Sequence, residues 1–206
     1  MSGRGYTVAK RALDLTLVSV VGVVAVPVGA VIAAAIKLED GGRVLFRQER
    51  IGRNGVPFEI VKFRTLVDAP ARDPVDYLIS AQDPRITRVG AILRRWSLDE
   101  LPQLWNVLVG DMSAVGPRPT LRYQVERYDD FQRRRLEVLP GVTGWAQISG
   151  RNQLRWPERI ELDVWYVDHR SIGLDLRILA ATLPELLRRK PLYNDAQGDW
   201  GEREGS

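Results

Sequence analysis

The longest apolar stretch of the chain spans residues 13–36 and reads "LDLTLVSVVGVVAVPVGAVIAAAI", with Asp14 as its one charged residue. About 20 apolar residues are enough for a helix to cross a lipid bilayer, so this segment predicts a membrane helix. A buried core helix and a secretory signal peptide are the two alternatives. The signal peptide fits less well, because the apolar run is longer than a usual signal-peptide core and Lys37 follows it directly.

Pro27 lies just past the middle of this segment, where a proline removes an amide donor and clashes with the preceding helical turn. Basic residues stand on both sides of the segment: Arg4, Lys10 and Arg11 precede it, and Lys37, Arg43, Arg47, Arg50 and Arg53 follow it. The positive-inside rule favours keeping both ends on the cytoplasmic side. We therefore expect residues 1–37 to form a re-entrant helix-break-helix hairpin that bends at Pro27.

After Lys37 the chain contains only short apolar runs, none of them apolar enough to cross a membrane. Two short strands are expected at 44–48 and 57–63, joined by a turn rich in Gly, Asn and Pro. Helices are expected at 86–95, from Ser97 onward, at 120–139, at 154–169 and at 174–190, with loops at 110–119 and 140–152 and a disordered tail at 191–206. The predicted fold class is α/β and mostly helical: a membrane hairpin, then a small cytoplasmic catalytic domain over 38–190 with short strands and amphipathic helices at the membrane interface.

The composition excludes several kinds of site. The chain has no cysteine, which rules out disulfides, thiolate nucleophiles and zinc–thiolate centres. Its one histidine, His169, rules out a histidine-rich metal site, whereas carboxylate ligands for Mg²⁺ remain open. Lysine and arginine number 30 against 26 acidic residues, an excess that could serve nucleic acid, an anionic membrane surface or a phosphorylated substrate. Nucleic acid is not expected as a partner, because the basic residues are scattered and lack an aromatic stacking platform.

The segment "WSLDELPQLWNV" places two carboxylates, Asp99 and Glu100, side by side before an apolar run. Ser97 and Glu100 match the S-x-x-E capping box, in which both side chains satisfy backbone amides at the start of a helix. That interpretation accounts for Glu100 but leaves Asp99 unexplained. With Ser97 as the N-cap, Asp99 falls in the first turn, where free amides and the helix dipole favour an ionised carboxylate.

Long motifs carry a resemblance to one family. They are "KRALDL", "FRQERIGRNGVPFEIVKFRTL", "DPRITRVGAILRRWSLDELPQLWNVLVGDMSAVGPRP" and "LPGVTGWAQISGRN", continuing through "LDVWYVDHRSIGLDLRIL". Over nearly all of residues 10–187 the chain resembles the bacterial sugar transferases, the monotopic polyprenol-phosphate phosphoglycosyl transferases. The resemblance implies transfer of sugar-1-phosphate from a UDP-sugar to polyprenol phosphate, with release of UMP. It also implies a re-entrant helix and a place on the cytoplasmic face of the bacterial inner membrane.

The resemblance also implies a role for the charged residues of these motifs. Asp99 would be the nucleophile that forms a phosphosugar–aspartyl intermediate, and Glu100 would bind Mg²⁺. Phosphate-binding cations are expected at Lys62, Arg64, Arg85, Arg88, Arg118 and Arg151. Lys62 and Arg64 are two residues apart in a predicted strand, so their side chains are expected on one face. Arg118 is restrained between two prolines and would lose little conformational freedom on gripping a phosphate.

Two positions depart from the family pattern. Val26 precedes Pro27 where typical members carry serine, which removes a hydroxyl that could satisfy the bend, and Leu66 replaces a methionine. The basic run at 133–135 matches no motif and is expected to lie on a solvated or membrane-facing surface. The alternative function is a catalytically inactive membrane adaptor, but such a protein would be expected to have lost its carboxylates. The sugar and the oligomeric state, a homodimer included, stay open.

Overall fold

The computed structural model describes residues 3–67, 83–150 and 154–187. In these ranges the helices are α1 (Gly3–Asp40), α2 (Arg88–Trp96), α3 (Gln103–Val109), α4 (Arg122–Val125), α5 (Asp130–Arg133), α6 (Trp145–Ser149), α7 (Trp156–His169) and α8 (Ile172–Leu187). The strands are β1 (Leu45–Ile51), β2 (Pro57–Phe63), β3 (Ser113–Val115) and β4 (Gly141–Thr143), which form two separate pairs. The chain is thus mostly helical with short strands, as predicted. The predicted tail at 191–206 lies outside the described residues.

α1 is a single helix of 38 residues with Pro27 inside it, so the predicted helix-break-helix hairpin is not confirmed. A proline removes one backbone hydrogen bond, and a membrane helix can tolerate that loss. The helix is long and apolar enough to cross a membrane. Its middle is largely exposed, with Val23 and Val26 at 76% and 74% exposure. Such a continuous apolar surface suits contact with lipid.

Polar contacts fix the N-terminal part of α1 to the rest of the protein. Arg11 donates to the carbonyl oxygens of Val107 and Leu108, at 2.6 and 2.8 Å, and so satisfies the C-terminal end of α3. Asp14 is buried and accepts hydrogen bonds at 2.9 Å from Ser113 Oγ and from the next amide of β3. The one charge of the apolar segment is therefore a contact between α1 and β3.

The C-terminal part of α1 contacts the same domain. Glu39 accepts hydrogen bonds from the first two amides of α2, at 2.7 and 3.1 Å, where a carboxylate also complements the helix dipole. Ile32 and Ile36 are buried in a cluster with Phe63 of β2. Both ends of α1 are therefore held by one folded domain, and the exposed valines lie between these two attachments.

β1 and β2 form an antiparallel hairpin as predicted, although β1 extends to Ile51. Asn106 of α3 holds this hairpin: its Oδ1 accepts from the Val61 amide at 3.1 Å and its Nδ2 donates to the Glu59 carbonyl at 2.7 Å. The buried side-chain amide thus satisfies backbone groups of β2. This contact fixes β2 against α3 and brings Lys62, the next residue along β2, toward the turn that precedes α3.

A parallel pair joins β3 to β4, with Ser113 opposite Gly141. The backbones approach so closely that a Cβ on Gly141 would lie 2.1 Å from the Gly116 nitrogen, so only glycine fits there. The Gly141 amide also donates to the Pro117 carbonyl at 2.8 Å. This crossing holds the start of the Pro117–Arg118–Pro119 loop.

The loops predicted at 110–119 and 140–152 are wrong in part. The first contains β3, and the second contains β4 and α6. A three-residue strand is too short to show an alternating pattern, and the several glycines of both segments favoured turns.

The single helix predicted at 120–139 is also wrong. The segment divides into α4, α5 and a 3₁₀ turn, because Asp129 caps a new helix by accepting from the Gln132 amide at 2.8 Å.

The basic surface predicted at 133–135 is wrong at Arg135, which is 3% exposed and forms an ion pair with Asp163 of α7. A buried ion pair between distant segments leaves no periodic signal in the sequence.

Candidate active site

Asp99 and Glu100 lie in a 3₁₀ turn between α2 and α3. Ser97 ends α2 in the left-handed conformation, with φ of 56°, and α3 begins only after Pro102. The predicted capping box is therefore wrong: the Ser97 side chain makes no capping hydrogen bond to this turn, and the Glu100 carboxylate is bound elsewhere. The two carboxylates are presented by a short turn and not by the first turn of an α-helix.

Two cations bind Glu100 through one oxygen. Lys62 Nζ lies 2.9 Å from Glu100 Oε1, and Arg118 Nη2 lies 2.7 Å from the same atom. The Lys62 and Glu100 side chains are each 18% exposed, whereas that of Arg118 is 49% exposed. Burial alone raises the pKa of Glu100, but Arg118 and Lys62 outweigh it and hold the pKa well below its usual range. Glu100 is therefore ionised and held by β2 on one side and by the loop after β3 on the other.

Asp99 has a different environment. Among the described residues, none donates a hydrogen bond to its carboxylate or forms an ion pair with it. Burial and the negative charge of Glu100 raise the pKa of Asp99 above its ordinary value, and the charges of Lys62, Arg94 and Arg118 offset part of that rise. The predicted stabilisation of ionised Asp99 by a helix N-terminus is wrong. Asp99 is thus a half-buried carboxylate with no direct partner in the described structure, surrounded by cations.

The structure brings Lys62 and Arg118 to the carboxylates but not all of the predicted cations. Arg64 is buried, donates at 2.6 Å to a carbonyl in the α1–β1 connection and forms an ion pair with Asp40. Arg85 binds both carboxylate oxygens of Asp83. Arg88 is exposed at the start of α2. The contacts of Arg64 thus join β2 to the connection after α1, whereas the contact of Arg85 is local to the segment before α2.

Arg151 lies outside the described residues. The backbone of Arg118 is held by Arg135, a buried residue that donates to the Arg118 carbonyl oxygen at 2.9 Å. The side chain of Arg118 therefore extends toward Glu100 from a backbone that is fixed behind it.

Two residues of the site escaped the sequence interpretation. Arg94 lies on α2, donates to Thr65 Oγ1 at 2.7 Å, and contributes positive charge that lowers the pKa of Asp99. Its place near the end of the predicted helix at 86–95 indicates no site role, although it stands within the motif that contains both carboxylates. Asn106 lies in the helix that the sequence predicts from Ser97 onward. An uncharged polar residue on the buried face of such a helix was the available signal for its contact with β2.

The two carboxylates do not by themselves make a complete magnesium site. Among the described residues, no three His, Cys, Asp or Glu side chains are grouped so that they could hold a metal ion. Magnesium is commonly bound by one or two carboxylates together with substrate phosphates. Asp99 and Glu100 fit that kind of site, in which the protein alone does not complete the coordination.

The charged residues around Asp99 are arranged in a way that suits phosphoryl transfer. A phosphate placed beside Asp99 would meet the positive charge of Lys62, Arg94 and Arg118, which can stabilise the additional negative charge of a phosphoryl transfer. Asp99 has no direct partner among the described residues to displace before it reacts. The cluster therefore suits nucleophilic attack by a carboxylate on a bound phosphate ester.

Comparison with known proteins agrees with this chemistry. A family model described as bacterial sugar transferase matches residues 5–189. An uncharacterized sugar transferase of Bacillus subtilis is 49% identical over 154 residues, which are 75% of each chain. The exopolysaccharide production protein ExoY of Rhizobium meliloti is 38% identical and covers 90% of this chain and 88% of its own.

A further relative is named for a reaction. The UDP-glucose:undecaprenyl-phosphate glucose-1-phosphate transferase of Escherichia coli is 41% identical over 192 residues. The match covers 89% of this chain but only 41% of that longer protein. The matched motifs extend along almost the whole of the chain, and it belongs to the bacterial sugar transferase family.

Proposed function

We propose that this protein transfers sugar-1-phosphate from a UDP-sugar to polyprenol (undecaprenyl) phosphate and releases UMP, as the first membrane step of glycan assembly. One observation carries the proposal: Asp99 has no direct partner among the described residues, while its neighbour Glu100 is held by Lys62 and Arg118. The relative from Escherichia coli, named for such a transfer, supports the same reaction here.

In the first step the Asp99 carboxylate attacks the phosphorus that carries the sugar. The bond between this phosphorus and the oxygen of UMP breaks, UMP leaves with the electron pair, and a phosphosugar–aspartyl intermediate forms. Asp99 must be deprotonated to attack, and the positive charges of Lys62, Arg94 and Arg118 favour that form. The same charges stabilise the phosphoryl oxygens in the transition state.

In the second step an oxygen of polyprenol phosphate attacks the same phosphorus. The bond to Asp99 breaks, the carboxylate is regenerated, and the lipid-linked sugar diphosphate leaves. Glu100 would hold Mg²⁺ together with substrate phosphates, and the ion would neutralise the diphosphate and make UMP a better leaving group. Lys62 and Arg118 orient Glu100 for that role through its Oε1 atom.

We further propose that α1 anchors the protein to the cytoplasmic face of the inner membrane, with both of its ends on that side. Arg11 near one end and Glu39 near the other contact the same domain. A simple crossing would place one of these contacts on the far side of the bilayer, so the shared attachment supports an arrangement with both ends of α1 on one side. The exposed valines between the two attachments would then lie in lipid.

The reaction is tested with purified protein in nanodiscs, Mg²⁺, a panel of UDP-sugars and undecaprenyl phosphate. We expect UMP release and a lipid-linked product with at least one sugar, and loss of both in Asp99→Asn. The matched control is Asp130→Asn, a change at an exposed acidic residue of α5 that is expected to keep activity. Folded wild-type protein that releases no UMP with any sugar would contradict the proposal and favour the inactive adaptor.

The topology is tested by cysteine labelling, since the chain has no cysteine of its own. Val8→Cys and Leu38→Cys place single thiols at positions that are 72% and 87% exposed, near the two ends of α1. A membrane-impermeant maleimide is expected to label both in inverted membrane vesicles and neither in spheroplasts. Labelling of the two positions from opposite sides would indicate a helix that crosses the membrane.

A further inference from the structure

Arg159 of α7 is a cation that neither the sequence motifs nor the proposed mechanism uses. Its Nε donates to the Leu154 carbonyl at 2.9 Å, which fixes the guanidinium group close to the start of α7. Its Nη2 is buried, and no hydrogen-bond partner for this atom exists among the described residues. A buried donor of a charged group without a partner is unfavourable, so its persistence calls for a ligand that would satisfy it.

Arg159 lies on the side of α7 that meets the Arg118 loop. Arg135 makes the connection: it forms an ion pair with Asp163 of α7 and donates to the Arg118 carbonyl at 2.9 Å. The guanidinium carbon of Arg135 also lies 5.6 Å from the centre of the Trp156 ring. Trp156, Arg159 and Asp163 recur at the spacing of one helix face. That face is therefore packed toward the loop whose Arg118 side chain binds Glu100.

The charges in this region do not balance. Asp163 is the carboxylate that pairs with Arg135. Burial and the charge of Arg118 lower the pKa of Arg159, and the charge of Asp163 offsets only part of that. The Nε atom of Arg135 is also buried without a partner in the described parts of the chain. Among the described residues, two buried guanidinium atoms of this region, Arg159 Nη2 and Arg135 Nε, therefore have no acceptor. Two arginines that repel one another are stabilised when an anion binds to both.

We propose that Arg159 and Arg118 form a second anion subsite that binds a substrate phosphate beside the Asp99–Glu100 pair. Guanidinium groups present planar pairs of N–H donors that match phosphate oxygens, which suits this ligand. The substrate class rests on the proposed function. Two phosphates meet this description, the diphosphate of the nucleotide sugar and the monophosphate of the lipid acceptor, and both present the same chemistry to the arginines.

The test uses the whole 206-residue chain in nanodiscs and separates the two half-reactions. The variants are Arg159→Met and Arg159→Lys, with Arg155→Met as the matched control, since Arg155 lies one turn earlier and its side chain is 65% exposed. The first measurement is UMP release in a single turnover without acceptor, as a function of UDP-sugar concentration. The second is sugar transfer from the preformed adduct, as a function of polyprenol phosphate concentration.

We expect Arg159→Met to raise the half-saturating concentration of one phosphate substrate by about 10- to 100-fold, the usual effect of losing a hydrogen bond to a charged group. Arg159→Lys should recover part of the loss, and Arg155→Met should match the wild type. An effect confined to UMP release assigns the subsite to the diphosphate, and one confined to the second step assigns it to the lipid phosphate. The proposal would be overturned if Arg159→Met left the half-saturating concentrations of both substrates unchanged. This holds also if the variant lowered the maximal rate and the melting temperature while those concentrations stayed the same.

A binding measurement keeps this inference distinct from the proposed function. Inorganic pyrophosphate should raise the melting temperature of wild-type protein by mass action. The apparent pyrophosphate affinity should fall in Arg159→Met and persist in Arg155→Met. If the wild type binds pyrophosphate through Arg159 but releases no UMP from any UDP-sugar, the subsite stands and the proposed reaction fails. If pyrophosphate binding is the same in both variants, the subsite is wrong whatever the activity.

Discussion

The Asp99–Glu100 site and the Arg135–Asp163 pair are built from the same residue types but balance their charges differently. Arg135 and Asp163 are each buried, and Arg135 also contacts Tyr128 Oη and the Arg118 carbonyl. At the site, one oxygen of Glu100 receives two cations while Asp99 has no direct partner among the described residues.

This difference separates a structural ion pair from a reactive carboxylate. A buried pair with further hydrogen bonds holds segments together, and removing one partner leaves an uncompensated charge. A half-buried carboxylate with a raised pKa and no direct partner among the described residues lowers stability in its charged form, and such groups are typical of functional sites. Stability should therefore depend on the Arg135–Asp163 pair, and activity on the Asp99–Glu100 site.

The largest effect on stability is expected from Arg135→Met. It leaves Asp163 buried without its cation, which should lower the free energy of unfolding by about 3–5 kcal/mol. The neighbouring Arg134→Met is the control, since Arg134 pairs with Asp168 at the surface, where exposed pairs contribute little. Thermal and urea unfolding in detergent, followed by tryptophan fluorescence, would measure both. Equal losses in the two variants would contradict the distinction between the two regions.

A smaller change of opposite sign is expected from Asp99→Asn. Because the folded pKa of Asp99 is raised, the wild type loses stability as pH rises from the ordinary carboxyl pKa through the raised one, and asparagine carries no such charge. The variant should melt a few degrees higher than the wild type at neutral pH, and the difference should vanish in acid. A variant that melts lower at neutral pH would show that Asp99 stabilises the fold.

The smallest effect is expected from Lys62→Gln, on the pH dependence of the rate of adduct formation. Lys62 is the cation that lowers the pKa of Asp99 most, so its removal should raise that pKa further. The acid limb of the rate of adduct formation should then move to higher pH, since Asp99 must be deprotonated to attack. Arg47→Gln on β1 is the control, because Arg47 forms an exposed pair with Glu59 away from the site. An acid limb at the same pH in both variants would remove Lys62 from the electrostatics of Asp99.

Local patterns predicted some elements well. The β1–β2 hairpin, α2, α7 and α8 lie close to their predicted ranges because each shows several repeats of its own periodicity. The parallel pair β3–β4 could not be predicted, since two three-residue strands far apart in sequence meet through glycine backbones. The division of 120–139 by the Asp129 cap was visible in principle, as aspartate followed three residues later by glutamine.

The candidate site was predictable in its residue types but not in its contacts. The motifs identified Asp99, Glu100, Lys62 and Arg118, and the structure groups these four. The capping box misled because its pattern is local, whereas Glu100 is bound by residues that lie 38 and 18 positions away along the chain. Arginine carries no sequence signal that separates a site cation from a structural one, as Arg64 illustrates.

The most direct test of the central claim is intact mass spectrometry of the protein with Mg²⁺ and a UDP-sugar but no polyprenol phosphate. Covalent attack by Asp99 predicts an added sugar-phosphate mass in the wild type, its absence in Asp99→Asn, and its loss when polyprenol phosphate is added. The identity of the UDP-sugar that gives the adduct would also name the transferred sugar. If no sugar gives an adduct and UMP is released only after polyprenol phosphate is added, transfer is direct and Asp99 is not the nucleophile.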